Sequence, residues 1–215
     1  MPLPLVIAHH LLSTAYGWWL PNDPRGSCST CIASNVIAEL GELHYGRKKL
    51  QPAGWEIRKY YREAEKSLRY PLLTFNAGDV QIIARAFADV IARERYTCYA
   101  CAIMPDHVHV ANRKHKHTAE EMIRNFQDAS RTALRAAGQR TPDHPVWAQG
   151  GWKVFLDSPD DIRPTIGYIE RNPRKMRLPK QEWWFVTPYD GWPLHPGHNP
   201  NSPYARRLRG YDGRR

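Results

Sequence analysis

Residues 96–111, YTCYACAIMPDHVHVA, decide the fold. The first nine form an apolar run that predicts a buried strand, and the last five (HVHVA) begin with an alternation of polar and apolar side chains that predicts a second strand. Pro105-Asp106 between them is a turn sequence. The stretch therefore predicts a β-hairpin. Its two histidines, His107 and His109, share one face of the sheet, because side chains two apart on a strand point the same way.

Outward from this hairpin, hydrophobic periodicity and capping residues predict the remaining elements. These are a strand over Pro4–Thr14, a helix over Asp79–Arg95, a helix from Thr118 to Gly138, a strand over Gly151–Leu156 and a helix starting at Ser158. Residues 26–77 show no core pattern beyond a polar helix around Gly54–Leu68, which predicts an insertion after the first strand. The order β-α-β-β-α-β with an added C-terminal helix is typical of the α+β ferredoxin-like fold.

The chain length indicates how these elements are organised. At 215 residues it can form one domain with a real core, which we predict over 1–195, followed by a basic arm or tail over 196–215. It contains no apolar run of about eighteen residues, and the N-terminus lacks the basic and apolar regions of a signal peptide. We therefore expect a cytoplasmic protein without a membrane partner.

The net charge of +10 predicts a polyanionic partner, of which nucleic acid is the commonest in cells. A well-solvated basic surface without a specific partner is the alternative. If DNA is the partner, the protein is nucleoid-associated and tryptophans such as Trp18, Trp19 and Trp152 are candidates for stacking on unpaired bases. Basic residues after the histidine strand are candidates for phosphate contacts. They are Lys114, Lys116, Arg124, Arg131 and Arg135.

The four cysteines form two C-x-x-C pairs, Cys28/Cys31 and Cys98/Cys101. Four thiolates could hold a structural zinc ion. The second pair, however, lies in the predicted buried strand, where residues three apart are expected on opposite faces. Buried or unpaired thiols are therefore the favoured interpretation.

Two separated patterns carry chemistry. His107 and His109 can reach one ion, although strand histidines often have no such role, and a second H-x-H pair at residues 115–117 lies in a charged loop. Tyr168 and Asn172 are four apart and share a helix face. Pro173 is expected to end that helix at about Asn172. A core tyrosine beside a capping asparagine would give the same pattern.

Three stretches together resemble a known family. MPDHVHV (104–110), VWAQGGWKVFLDSPDDI (146–162) and YIERNP (168–173) are similar to the REP-associated tyrosine transposases, a branch of the HUH single-tyrosine transposases. TAYGWWLPNDPRGS (14–27) and WWFVTPYDGWPLHP (183–196) resemble one subgroup of that branch. The resemblance covers most of the chain.

The resemblance implies an endonuclease and transposase that cleaves and rejoins single-stranded DNA next to hairpins, through a covalent phosphotyrosine. By this likeness Tyr168 is the nucleophile, and His107, His109 and Asn172 bind Mg²⁺ or Mn²⁺. Members act as monomers or dimers, so a homodimer is possible.

Two residues depart from what the tyrosine helix requires. Pro164 and Gly167 weaken a helix, so the helix either begins after Pro164 or carries a mobile tyrosine. Decay of an inactive copy would also explain them. Two other functions therefore stay open: a non-catalytic nucleic-acid-binding protein, and a metal phosphoesterase that activates water while Tyr168 is structural.

Overall fold

The computed structural model describes residues 5–27, 29–46, 48–193, 199, 201–202 and 205–206. Cys28 and most of the predicted tail over 196–215 lie outside the described residues. The elements in chain order are β1 Ala8–Thr14, α1 Asn35–Ala38, α2 Gly54–Ser67, α3 Ala77–Glu94, β2 Cys98–Ile103, β3 His107–Arg113, α4 Ala119–Ala136, β4 Trp152–Leu156 and α5 Pro159–Lys175. The predicted order of strands and core helices is confirmed.

The four strands form one antiparallel sheet in the order β2-β3-β1-β4. β1 lies inside the sheet and pairs with both β3 and β4, so β2 and β4 are the edge strands. This is the strand arrangement of a ferredoxin-like fold, and the predicted fold class is confirmed. The register sets Leu12 opposite His109 and Thr14 opposite His107.

Helices cover both faces of the sheet. α3 and α4 pack on one face, where Phe87 and Phe126 meet with ring centroids 4.7 Å apart. α5 packs on the other face through Ile162 and Ile169, which are fully buried. No helix in the described part of the chain is long and apolar enough to cross a membrane.

The expectation that Cys98 and Cys101 point to opposite faces is wrong. A register shift between Cys98 and Ala100 adds a residue to β2, and both thiols enter the core beneath α3 and α4. Burial raises the pKa of Cys98 to about 12 and that of Cys101 well above its usual value. Both thiols are free and buried, whereas the free thiol of Cys31 is exposed. Among the described residues, no three His, Cys, Asp or Glu side chains are arranged to hold a metal ion.

α5 contains Pro164 and Pro173 within its length. Ser158 caps its first turn, and the helix runs through Pro164 and ends three residues beyond Asn172, at Lys175. The predicted helix start at Ser158 is confirmed, whereas the alternative of a start after Pro164 and the expected end at about Asn172 are wrong. Each proline removes one backbone hydrogen bond, but packing of the buried isoleucines on the sheet holds the helix together.

A buried polar network fixes the loop after β1 to α2. Arg25 donates to both carboxylate oxygens of Asp23, at 3.0 and 2.8 Å, and the Tyr61 hydroxyl also donates to Asp23. The Asp23 side chain is fully buried, and the Trp19 ring lies 3.8 Å from the Arg25 guanidinium carbon. Polar contacts thus join this loop to α2 of the predicted insertion.

Asp23→Ala is expected to lower the free energy of unfolding by roughly 3–5 kcal/mol, because it leaves the Arg25 guanidinium without its buried partner. Urea unfolding measures the change. Asp143→Ala is the matched control, since the Arg69–Asp143 pair is exposed and contributes at most about 1 kcal/mol. An equal effect of the two substitutions would show that the Asp23 network does not stabilise the fold.

Candidate active site

Tyr168 and the two predicted histidines meet between α5 and the centre of the sheet. His107 and His109 lie side by side on β3, with ring centroids 4.8 Å apart. The ring centroid of Tyr168 on α5 is 5.5 Å from that of His109. His109 is 2% exposed, whereas Tyr168 is 37% exposed. The phenol is therefore accessible from solvent and adjacent to a buried imidazole.

A third histidine belongs to this cluster and was missed from the sequence. His10 Nε2 lies 2.9 Å from His109 Nδ1, and its ring centroid is 6.0 Å from that of Tyr168. The only signal was a histidine on the first predicted strand. The β1–β3 register brings His10 to the cluster, because it puts Leu12, two residues later on the same face, opposite His109.

Both predicted ligand histidines have their Nδ1 atoms occupied. Asp106 Oδ1 lies 2.6 Å from His107 Nδ1, and His10 is the partner of His109 Nδ1. Each ring therefore has its Nε2 atom left for another ligand. A second partner that fixes the ring in this way is typical of histidines that bind metals.

Burial controls the charge of this cluster. It lowers the pKa of His10 to about 4 and that of His109 well below its usual value, and any positive charge on the neighbouring His107, His10 or Lys175 would lower the latter further. His10 and His109 are thus neutral at neutral pH, the form in which an imidazole binds metals. Burial alone would raise the pKa of Asp106, but the His107 contact and nearby charges lower it below its usual value.

Asn172 lies one turn after Tyr168 on α5 and is 7% exposed. Its Nδ2 donates to the backbone oxygen of Tyr168 at 3.0 Å, and its Oδ1 makes no hydrogen bond with any described residue. No hydrogen bond joins it to His107 or His109. The structure therefore places Asn172 on the Tyr168 helix without a hydrogen bond to the histidine pair among the described residues.

Lys175 at the end of α5 is a second residue that sequence reasoning missed. Its Nζ lies 4.2 Å from the centroid of the Tyr168 ring, and the side chain is exposed. Lys175 is seven residues, about two helical turns, after Tyr168, so the spacing was a usable signal. An ammonium group here puts positive charge beside the phenol.

The five basic residues predicted to contact DNA are not grouped at Tyr168. Lys114, Lys116 and Arg124 are exposed after β3. Arg131 and Arg135 instead donate to the backbone oxygens of Pro145 and His144, at 2.9 and 2.7 Å. α4 packs on the sheet face opposite α5. Arg131 and Arg135 thus hold a loop, and DNA contacts of all five stay a prediction.

A cavity of about 440 Å³ opens beside Tyr168, between α5 and strands β1, β3 and β4. Its lining consists of His10, Leu12, His109, Trp152, Val154, Pro164, Thr165 and Tyr168. The candidate nucleophile and two of the three clustered histidines thus line one open cavity.

Comparisons with known proteins give structural neighbours only. No protein-family profile matches the chain, and a search of curated proteins found no relative. A REP-associated tyrosine transposase bound to a REP hairpin is similar in structure, with 13% identity, 86% of this chain and 79% of that chain covered, and a TM-score of 0.43. A protein of Deinococcus radiodurans R1, provisionally described as a transposase, has 14% identity, coverages of 80% and 94%, and a TM-score of 0.36. Two of the chain's structural neighbours are thus a REP-associated tyrosine transposase and a protein described as a transposase.

Proposed function

We propose that this protein is a metal-dependent transposase that cleaves and rejoins single-stranded DNA next to hairpins through Tyr168. One observation carries the proposal: the solvent-accessible phenol of Tyr168 lies beside a cluster of three histidines. Its ring centroid is 5.5 Å from that of His109, and the His109 ring in turn contacts His107 and His10. The three stretches that resemble the REP-associated tyrosine transposases support the same reaction. The hairpin-bound state belongs to the neighbouring structure, and we extend it to this chain as part of the proposal.

The residues at the site fit a divalent cation. His107 and His109 offer their Nε2 atoms because both Nδ1 atoms have partners, and Asn172 Oδ1 is a further candidate ligand on α5. Mg²⁺ or Mn²⁺ held there would withdraw charge from the oxygens of the scissile phosphate. Two imidazoles and one amide oxygen favour Mn²⁺ in affinity, whereas Mg²⁺ is more abundant in cells.

The covalent step follows from the chemistry of a phenol. Tyr168 Oη loses its proton and forms a bond to phosphorus, while the bond from phosphorus to one strand oxygen breaks and that oxygen takes up a proton. The phosphotyrosine ester keeps the energy of the broken bond, so a DNA hydroxyl can later displace Tyr168 and join the strands without ATP. Lys175 is positioned to attract the phosphate to the phenol.

The direct test is a covalent-adduct assay on a labelled single-stranded oligonucleotide that carries a hairpin. We expect a denaturant-resistant protein–DNA band with Mn²⁺ or Mg²⁺, and no band with a chelator. Binding without cleavage would instead indicate a non-catalytic nucleic-acid-binding protein. Cleavage without any adduct would indicate a phosphoesterase that activates water, and either result would overturn the proposal.

His10→Leu is expected to lower Mn²⁺ affinity by about 10- to 100-fold, because His109 loses the partner that orients its ring. Electron paramagnetic resonance of unbound Mn²⁺ measures the affinity. His10→Gln can still accept a hydrogen bond and should retain most of it. His9→Leu is the control, since His9 lies on the opposite face of β1. Equal affinity in the two leucine variants would contradict a positioning role for His10.

A further inference from the structure

The cavity beside Tyr168 has walls that the cleavage step does not use. Trp152 and Val154 of β4 form one wall, Leu12 of β1 forms the floor, and Pro164 and Thr165 of α5 form the opposite wall. Because β4 is an edge strand, the cavity lies at the border of the sheet. The cavity therefore gives a bound DNA strand room beside Tyr168.

The apolar wall of this cavity, Trp152 and Val154 of β4, is open to solvent although a helix covers this face of the sheet. Trp152 and Val154 pair with Leu12 and His10 in the sheet, so they lie on the face that α5 covers. Nevertheless they are 39% and 40% exposed. The other two tryptophans considered for stacking are engaged elsewhere, Trp18 with the Leu73 carbonyl and Trp19 with Arg25. Trp152 alone of the three offers a free ring next to the phenol.

We propose that this cavity binds a nucleobase of the strand that Tyr168 cleaves, with the Trp152 indole as its stacking surface. The inference rests on the proposed function and names a substrate subsite within it. Tyr168 lines one end of the cavity and Trp152 lines another part of its wall. A phosphate held at the phenol therefore brings the base of an adjacent nucleotide to the apolar wall.

The chemistry of the lining favours a base over other occupants. No lysine, arginine or acidic residue is among the lining side chains, so no cationic side chain there would hold a second phosphate. The volume of about 440 Å³ lies within the usual range of pockets for small organic groups, roughly 300–1,000 Å³. A flat heterocycle with apolar faces, joined to the phosphate through a sugar, fits these walls.

Most polar atoms of the cavity have a partner in the protein or a role in the proposed reaction, in which Tyr168 Oη attacks and His109 Nε2 binds the metal. Thr165 Oγ1 donates to the Asp161 carbonyl at 2.7 Å, and His10 Nε2 faces His109 Nδ1. Few groups are left to read the edge of a base by hydrogen bonds. We therefore expect stacking that tolerates any base and adds affinity without sequence preference.

Binding of two probes of equal length tests the subsite: a fluorescent oligothymidylate, and the same sugar–phosphate strand without bases. Chelator and a Tyr168→Phe background prevent cleavage, so that anisotropy reports binding alone. The parent protein should prefer the oligothymidylate, and Trp152→Ala should reduce that preference by about tenfold. Trp152→Phe should retain much of it. Trp184→Ala is the control, since Trp184 is 64% exposed but does not line the cavity.

The outcomes separate this inference from the proposed function. Failure of the parent protein to bind either strand would overturn the subsite, while the adduct assay on the hairpin oligonucleotide would still test DNA as the substrate. A preference for bases that Trp152→Ala leaves unchanged would overturn the subsite alone, and adduct formation would still test the reaction. If Trp152→Ala fails to fold, photocrosslinking of a 5-iodouracil oligonucleotide decides: a crosslink at Trp152 supports the subsite, and crosslinks only elsewhere contradict it.

Discussion

Tyr168→Phe is expected to abolish the covalent protein–DNA adduct while DNA binding is retained. The substitution removes only the phenol oxygen, which is the proposed attacking atom, and keeps the ring that contacts His10, His109 and Lys175. Loss of a covalent nucleophile typically lowers turnover on the order of 10⁶-fold. Because Tyr168 is partly exposed and no hydrogen bond of its hydroxyl is seen among the described residues, the fold should be unaffected.

Denaturing electrophoresis of a labelled hairpin oligonucleotide measures the adduct, and anisotropy measures binding. Tyr45→Phe is the matched control: Tyr45 is 63% exposed and lies in the inserted segment. It should form the adduct like the parent protein. An adduct that persists in Tyr168→Phe would identify a different nucleophile and remove the basis of the proposed reaction.

His109→Asn is expected to remove Mn²⁺ binding and metal-dependent cleavage together. Substitution of a residue that orients a metal ligand typically costs about 10- to 100-fold in metal affinity, so loss of a ligand should cost more. Asparagine is smaller than histidine, but its amide can still form hydrogen bonds. It therefore limits the loss of hydrogen bonding at a position that is only 2% exposed. Binding of Mn²⁺, followed by electron paramagnetic resonance, gives a readout that does not depend on catalysis.

The chain offers a matched control in its second H-x-H pair. His117 lies in the loop before α4, where its Nδ1 is 2.8 Å from the hydroxyl of Tyr96. His117→Asn should leave both Mn²⁺ affinity and adduct formation unchanged. Unchanged Mn²⁺ affinity in His109→Asn, or an equal loss in His117→Asn, would contradict the assignment of the metal to the β3 histidines.

The parts of the fold that were predictable depend on local patterns. The alternation in HVH determined the shared face of His107 and His109, and Ser158 marked the start of α5. The register shift at Cys98–Ala100 was not predictable, because one extra residue in a strand leaves no mark in an apolar run. The passage of α5 through Pro164 and Pro173 depends on packing against the sheet, which local propensity does not contain.

Within the site, the predictable residues were those with a neighbour in sequence. Tyr168 and Asn172 share a helix face by spacing, although only the structure shows that Tyr168 contacts His109. His10 is 99 residues from His109, so its role required the strand register. Arg131 and Arg135 looked like phosphate contacts because charge alone does not reveal a carbonyl partner across a loop.

The charged contacts after β1 have a consequence for how such proteins can diverge. Arg25 is bound to Asp23 in the loop before the insertion and donates to the hydroxyl of Tyr61 within it, and its charge also lowers the pKa of Asp106, the partner of His107. Through Arg25 the insertion is thus electrostatically connected to the histidine cluster of the candidate site. A descendant that shortened or replaced this segment would alter the charge beside the Asp106–His107 pair, so the two regions are expected to change together during evolution.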